Sequence, residues 1–357
     1  MADDVGVLYV KVTADTTELI NKTQADALAA GKKAGMGFGK KMAAGVAVAG
    51  AATAAAAVGI TKSIVDLGRE YEDNMLKVQA VTGATAEGMA VASETAKALG
   101  NDITLPGVSA AGAADAMLQL AKAGFTVEEA AAAADGAMRL AVSAQMDVGQ
   151  AAEIAANTVG AFGLKAEEAT YIADLLARGS TSAATTVQEL GTGMAQAAAN
   201  FAAAGIPVAD MVTSMGLMAN AGVKGSDAGT SLKTMLQKLT APTKQSAKAM
   251  EDLGVNVFDA QGNLKPMRTL VEDFSKATKD LTEEQRAQAV TTIFGADASR
   301  AANIVLMQGV EAYDELAGAM GDVEGAAGDL AGATTKGLSG AIEAIQSQME
   351  TVAIDIY

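Results

Sequence analysis

The sequence predicts an all-α protein of stacked helical hairpins, with a short N-terminal strand and one small β-hairpin near residues 255–265. Three observations carry this prediction. Half of the 357 residues are apolar, with alanine dominant and only 3% aromatic. Only 4 prolines interrupt the chain, and alanine is the residue that most favours helix. Finally, glycines recur between segments in which apolar residues are spaced three and four apart, as on one face of a helix.

The N-terminal part, residues 1–41, is predicted to hold a strand, a helix and a joint. Residues 5–12 alternate with β-branched side chains, which indicates a strand. A helix is expected to follow from about Asp15. It ends in the segment 31–41, where glycines and lysines alternate and no regular structure is favoured.

Residues 42–67 are predicted to form an apolar helix rich in alanine and glycine. The run 42–61 carries no charge and is flanked by lysines, which is typical of a bilayer span. Its small side chains are equally typical of a helix packed closely against another helix. Both interpretations stay open, and the first gives an alternative function as a membrane-active pore or effector.

Residues 68–310 are predicted to be the core, because helix follows helix with apolar residues at three- and four-residue spacing. The predicted segments within it are Ser109–Ala123, Thr126–Gln145, Val148–Ala161, Ala166–Ala177, Thr185–Ala204, Pro207–Ala221 and Ser226–Leu239.

A repeated joint connects several of these helices. Gly124, Gly163 and Gly205, spaced by 39 and 42 residues, are each followed by a large apolar residue and then by an acidic helix start. Glycine in the left-handed conformation commonly ends a helix, so each joint predicts one helix end and one helix start. Thr126 and Glu129 have the spacing of a capping box. Repetition of the joint predicts stacked hairpins.

The last third is less regular. Residues 253–264 predict a short strand, a turn at 259–263 and a return strand, before helices resume at Pro266 and Thr282. Residues 311–357 are predicted to be a helical extension rich in glycine and alanine. An amphipathic run reaches Tyr357 without a capping signal, which indicates a fragment of a longer protein.

Composition excludes several kinds of chemistry. The chain has no cysteine and no histidine, so Cys/His zinc sites, thiolate nucleophiles, Ser-His-Asp triads and disulfides are ruled out. The adjacent glutamates at 128–129, 167–168 and 283–284 fall in first helical turns, where the helix dipole explains them. The net charge of −16 argues against specific nucleic-acid binding. We therefore predict no enzyme, with no catalytic, cofactor or metal site.

The segment Ala221–Leu232, AGVKGSDAGTSL, resembles the core region of tail tape measure proteins of tailed phages, the family first described from a lactococcal siphophage. Further similar pieces follow the family's order over roughly 68–310, among them 120–124, 161–164, 173–177, 239–242, 259–263 and 292–295. The family-motif residues are Gly222, Lys224, Gly225, Ser226, Gly229, Leu232, Phe294 and Gly295.

The resemblance implies a structural role in the virion. Proteins of this family fill the lumen of the tail tube in several copies, set tail length, and leave before the genome is ejected. The implied partners are the major tail tube protein, tail assembly chaperones, tail tip or distal tail proteins, further copies of the chain, and the host membrane during ejection. The implied locations are the tail tube lumen and, during assembly, the host cytoplasm.

Overall fold

The computed structural model describes residues 68–102, 105 and 107–334. The predicted strand at 5–12, the joint at 31–41 and the apolar run 42–61 lie outside the described residues. So does the part of the C-terminal extension that follows residue 334.

The described residues form fourteen α-helices. The first seven are α1 (68–82), α2 (Ala86–Gly100), α3 (Ala110–Lys122), α4 (Val127–Ala144), α5 (Val148–Phe162), α6 (Ala169–Ser182) and α7 (Val187–Ala203). The remaining seven are α8 (Val208–Asn220), α9 (Gly225–Thr240), α10 (Lys244–Asp252), α11 (Met267–Thr278), α12 (Glu283–Ala301), α13 (Val310–Ala319) and α14 (Ala326–Thr334). A 3-10 turn precedes α6, and a π-helical turn, Ala302–Leu306, follows α12. The all-α prediction is confirmed for this part of the chain.

Helices α2 to α9 stack in two layers, because each packs against the helix two positions away as well as against its neighbour. Helices α3, α5, α7 and α9 follow one another in one layer, and α12 continues it beside α9. Helices α2, α4, α6 and α8 form the other layer, and α13 continues it beside α8. This order is the one expected of stacked hairpins, since each hairpin buries its apolar face against the next.

The joint glycines take the left-handed conformation that the sequence predicts. Their φ angles are +100° at Gly124, +62° at Gly163 and +71° at Gly205. The residue after each glycine donates its backbone N–H to the carbonyl five positions earlier; from Ile206 to Phe201 the distance is 3.0 Å. This pattern defines the Schellman motif that ends a helix.

Helix starts also agree with local sequence signals. The predicted capping box of Thr126 and Glu129 forms, with both reciprocal hydrogen bonds present. Thr282 and Gln285 form another at the start of α12. Most helix ends lie within two residues of their predicted positions.

One predicted helix end is wrong. The segment 166–177 continues to Ser182 as α6, through Gly179. A Cβ atom at Gly179 would lie 2.7 Å from Cγ1 of Val212 in α8. The glycine therefore permits close packing inside α6 and does not end the helix.

The predicted β-hairpin near 255–265 is also wrong, since this segment contains only an isolated antiparallel bridge between Phe258 and Leu264. The Asp259 carboxylate accepts the backbone N–H groups of Gln261 and Asn263 at 2.9 and 2.8 Å, which closes the loop tightly. Pro266 starts the next helix two residues after the bridge. Too few residues remain between loop and helix to extend the pairing.

The described part of the C-terminal extension is helical and packs on the stack. Tyr313 and Leu316 of α13 and Ala327 and Ala331 of α14 are all buried. These helices complete the core made by the earlier ones, so they need few large side chains of their own.

Two glycines at the end of α5 provide a matched test of the joint. Gly163 has positive φ, whereas Gly160 lies within the helix with open space where a Cβ would stand. We expect Gly163→Ala to lower the free energy of unfolding by about 1–2 kcal/mol, because alanine is strained in this conformation. Gly160→Ala should raise it by about 0.5–1 kcal/mol. Urea unfolding followed by circular dichroism measures both, and changes of the same sign would contradict the assignment.

Candidate functional site

The family motif forms the joint between α8 and α9. Gly222, with φ +82°, ends α8, and Gly225, with φ +56°, begins α9. Ser226 is exposed, while Leu232 is completely buried in the core. The motif therefore contains two glycines in the left-handed conformation and one leucine that anchors α9 in the core.

The same motif brings α9 into backbone contact with α7. A Cβ atom at Gly229 would lie 2.1 Å from the carbonyl oxygen of Gly193. A Cβ atom at Gly193 would lie 2.8 Å from the carbonyl oxygen of Gly225 and 2.2 Å from Cε of Met215. No side chain larger than hydrogen fits on either side. Gly193 carries no motif in the sequence, and its close spacing with Gly191 is the one local signal that marks it.

Lys224 links the motif joint to the start of α7. Its Nζ lies 3.7 Å from Oε2 of Glu189. The Glu189 carboxylate also accepts the backbone N–H of Thr186 in a capping box. Both charged side chains are partly exposed, and exposed ion pairs contribute little to the free energy of unfolding. The main effect of this pair is therefore to orient the joint.

Phe294 and Gly295 lie in α12, which packs against α9. Phe294 is buried against Phe274, with ring centroids 5.6 Å apart and planes inclined by 52°. Gly295 has φ 72° and ψ 178° inside the helix, a conformation essentially restricted to glycine. The motif therefore marks a kink in α12 that the sequence analysis did not predict.

A buried polar cluster joins α8, α11 and α13. Asp210, in the first turn of α8, accepts the backbone N–H of Met267 at the start of α11, and burial raises the pKa of this carboxyl group. The Tyr313 hydroxyl is buried beside the Asp210 carboxylate, with which it interacts. Burial and the Asp210 charge raise the pKa of Tyr313. The sequence predicted Asp210 only as the acidic start of a helix, and it gave no sign of Tyr313 as a neighbour, because the two residues lie in different helices about 100 positions apart.

A groove between α5 and α7 has a volume of about 570 Å³. Amide, hydroxyl and alanine side chains line most of it, and Glu153 is its one charged lining residue. Among the described residues, no cluster of three acidic side chains could hold a metal ion. No helix in the described ranges is both long and apolar enough to cross a membrane.

These features define a helical scaffold in which turns, backbone contacts and helix caps fix the positions of the helices. The family model described as phage-related minor tail protein matches residues 93–295. The chain therefore belongs to the phage-related minor tail protein family. The matched range contains the joint glycines, the α7–α9 contact and the kink in α12.

Two curated relatives agree with this assignment. The chain is 32% identical over 297 residues to the "Tape measure protein" of Pneumococcus phage Dp-1, covering 83% of this chain and 26% of that protein. It is 28% identical over 327 residues to the "Probable tape measure protein" of Escherichia phage P2, covering 89% of this chain and 40% of that protein. The chain thus spans well under half the length of these relatives. No solved structure matches it. The resemblance to tape measure proteins is confirmed.

The contact between α7 and α9 is open to a direct test. We expect Gly229→Ala to lower the free energy of unfolding by about 2–3 kcal/mol, because the added methyl group forces the two backbones apart. Thr230→Ala, at the exposed neighbouring position, should change it by less than about 0.5 kcal/mol. Denaturant unfolding of both variants gives the comparison. Equal effects would mean that the helices do not touch at Gly229.

The burial of Tyr313 beside Asp210 predicts that stability depends on pH. Tyr313→Phe keeps the buried ring and removes the group that ionises. Because folding raises the pKa of Tyr313, the parent should lose stability as pH rises above about 10, where the unfolded chain ionises. The phenylalanine variant should lose less. Unfolding measured from pH 8 to 11 tests this, and an equal loss of stability in both proteins over that range would contradict it.

Proposed function

We propose that the chain acts as a phage tail tape measure protein, a ruler and scaffold that fills the lumen of the tail tube and leaves before the genome. The family match over residues 93–295 and the two relatives named as tape measure proteins carry this proposal. The described fold supports it, because backbone contacts hold the stacked hairpins at fixed distances from one another.

The charge of the chain suits a conduit for DNA. A net charge of −16 repels a polyanion, so the departing genome would not adhere to this protein. The groove between α5 and α7 is almost uncharged, so it presents no cationic site to the phosphate backbone either.

The small side chains suit a protein that must vacate a narrow tube. Many buried positions are alanines, such as Ala113, Ala133, Ala151 and Ala197. Each buried alanine adds less apolar area than a leucine, so individual hairpins should separate at modest cost in free energy.

Within this function we propose the major tail tube protein, tail assembly chaperones and tail tip or distal tail proteins as partners. Several copies would share the lumen, and the chain would pass through the host cytoplasm during assembly and meet the host membrane during ejection. The motif residues from Gly222 to Leu232, with Phe294 and Gly295, are proposed to fix the packing of α8, α9 and α12 while the stack is folded.

An in-frame deletion tests the ruler role in the phage that carries the gene. Removing residues 164–205 joins Gly163 to Ile206, so one complete hairpin is lost while the joint sequence is kept. We expect shorter tails, by at most about 63 Å if every deleted residue spans the tube as helix at about 1.5 Å per residue. Electron microscopy of purified virions gives the length distribution.

Duplication of the same block is the matched control and should lengthen tails by a similar amount. Point variants such as Thr230→Ala should leave tail length unchanged. Assembled tails of unaltered length in both the deletion and the duplication would reject a ruler role for this part of the protein.

A further inference from the structure

The outer side of the layer that contains α5, α7 and α9 carries few charges. Helix α7 lies between α5 and α9 and packs on α6 and α8, so its remaining side is exposed in the described part of the chain. Its seventeen residues include one charged side chain, Glu189, which pairs with Lys224. Helix α5 has one charged residue, Glu153, and α9 has three, two of them lysines. By contrast, α11 has four charged residues among twelve. We call the exposed sides of α5, α7 and α9 the neutral face.

The neutral face can lose water at a low cost in free energy. Thr192 of α7 donates its hydroxyl to the carbonyl oxygen four positions earlier at 2.8 Å, and Thr234 of α9 does the same at 2.9 Å. Burying a polar group is costly mainly where it has no hydrogen-bond partner, so these hydroxyl groups need no new acceptor when the face is covered. The exposed alanines Ala195 and Ala199 add no polar side chain.

The groove between α5 and α7 gives the neutral face a surface into which another helix can pack. Its volume is about 570 Å³, and Ile154 and Met194 are among the apolar residues that line it. A Cβ at Gly191 would lie 2.5 Å from Cδ1 of Ile154, so a larger residue at this position would displace the isoleucine. Ridges on one helix surface commonly pack into grooves on another. The neutral face therefore offers shape as well as low charge to a helical partner.

The area of the neutral face is sufficient for a specific contact. Helix α7 has seventeen residues, so it extends about 25 Å, and three helices spaced by about 9 Å form a face about 27 Å wide. The resulting area is roughly 700 Å² on one copy, close to the value of about 800 Å² per partner in specific protein interfaces. A contact limited to this face is therefore large enough for reversible association.

We propose that the neutral face is the contact surface between two copies of this chain, which meet with the same face on each copy. Each copy carries a net charge of −16, so the copies repel each other, and this repulsion is smallest where two faces of low charge meet. Depletion of charged residues is also typical of the centre of an interface. A strongly charged partner would find no complementary charge here, whereas a second neutral face needs none. The proposal rests on the proposed function in one respect, since it names the surface through which copies would associate in a tail tube.

Charge variants at Ala195 test the contact, because this exposed residue lies in the middle of α7 and lines the groove. Sedimentation equilibrium of the complete chain should show a monomer–dimer equilibrium. Ala195→Glu and Ala195→Lys should each raise the Kd of the dimer about tenfold, since like charges then approach each other at the centre of the contact. An equimolar mixture of the two variants should return the Kd to within about threefold of the parent value, since opposite charges then meet. Recovery on mixing also shows that both variants are folded.

Ala90, exposed on α2 in the other layer, provides the matched control. Ala90→Glu and Ala90→Lys should leave the Kd within about twofold of the parent value, because charges separated by more than a Debye length are screened. Added salt should strengthen the parent dimer, since it screens the repulsion between two acidic copies.

Three results would overturn the proposal. Ala195 variants that associate as the parent does would place the contact elsewhere, and a dimer that salt weakens would mean that ion pairs hold it. A parent that stays monomeric would favour a different protein as the occupant of the neutral face. None of these results bears on the tail-length test of the ruler role, which measures a deletion in assembled virions.

Discussion

The close approach of helix backbones is the constraint on which the rest of this structure depends. At Gly229 and Gly193 the backbones of α9 and α7 touch, and neither position has room for a methyl group. Gly136 of α4 has the same relation to α6, where a Cβ would lie 2.5 Å from the backbone nitrogen of Thr170. These contacts set the spacing of helices within each layer. Alanine-rich faces can then meet with few voids, which a core poor in aromatic residues requires.

Two carboxylates connect the hairpin stack to the helices that follow it. Asp174 of α6 caps α14, and Asp210 of α8 binds the start of α11. Both use the unpaired N–H groups of a helix start, and both act between segments far apart in sequence.

The family match covers the stacked helices of the described part, from α2 to α12. The residues shared with the family motif lie at turns, backbone contacts and a helix kink, all of which position helices. The membrane-active alternative rests on residues 42–61, outside the described part. The kink at Gly295 and the crossing at Gly229 lie on two helices in contact, α12 and α9, so the motif acts on one end of the stack.

Sequence alone determined what depends on near neighbours. The glycines at 124, 163 and 205, the capping box at Thr126 and most helix limits follow from contacts within about five residues, where residue type and spacing decide the hydrogen bonds. Tertiary structure decided the rest. Helix α6 continues through Gly179, where Val212 packs too closely for a larger side chain. The pairing between Phe258 and Leu264 stops at one bridge, because the loop closed by Asp259 and the helix that follows Pro266 leave no residues to extend it. Asp174 meets Ala327 only because the layers bring them together, and no local pattern records a partner 153 residues away.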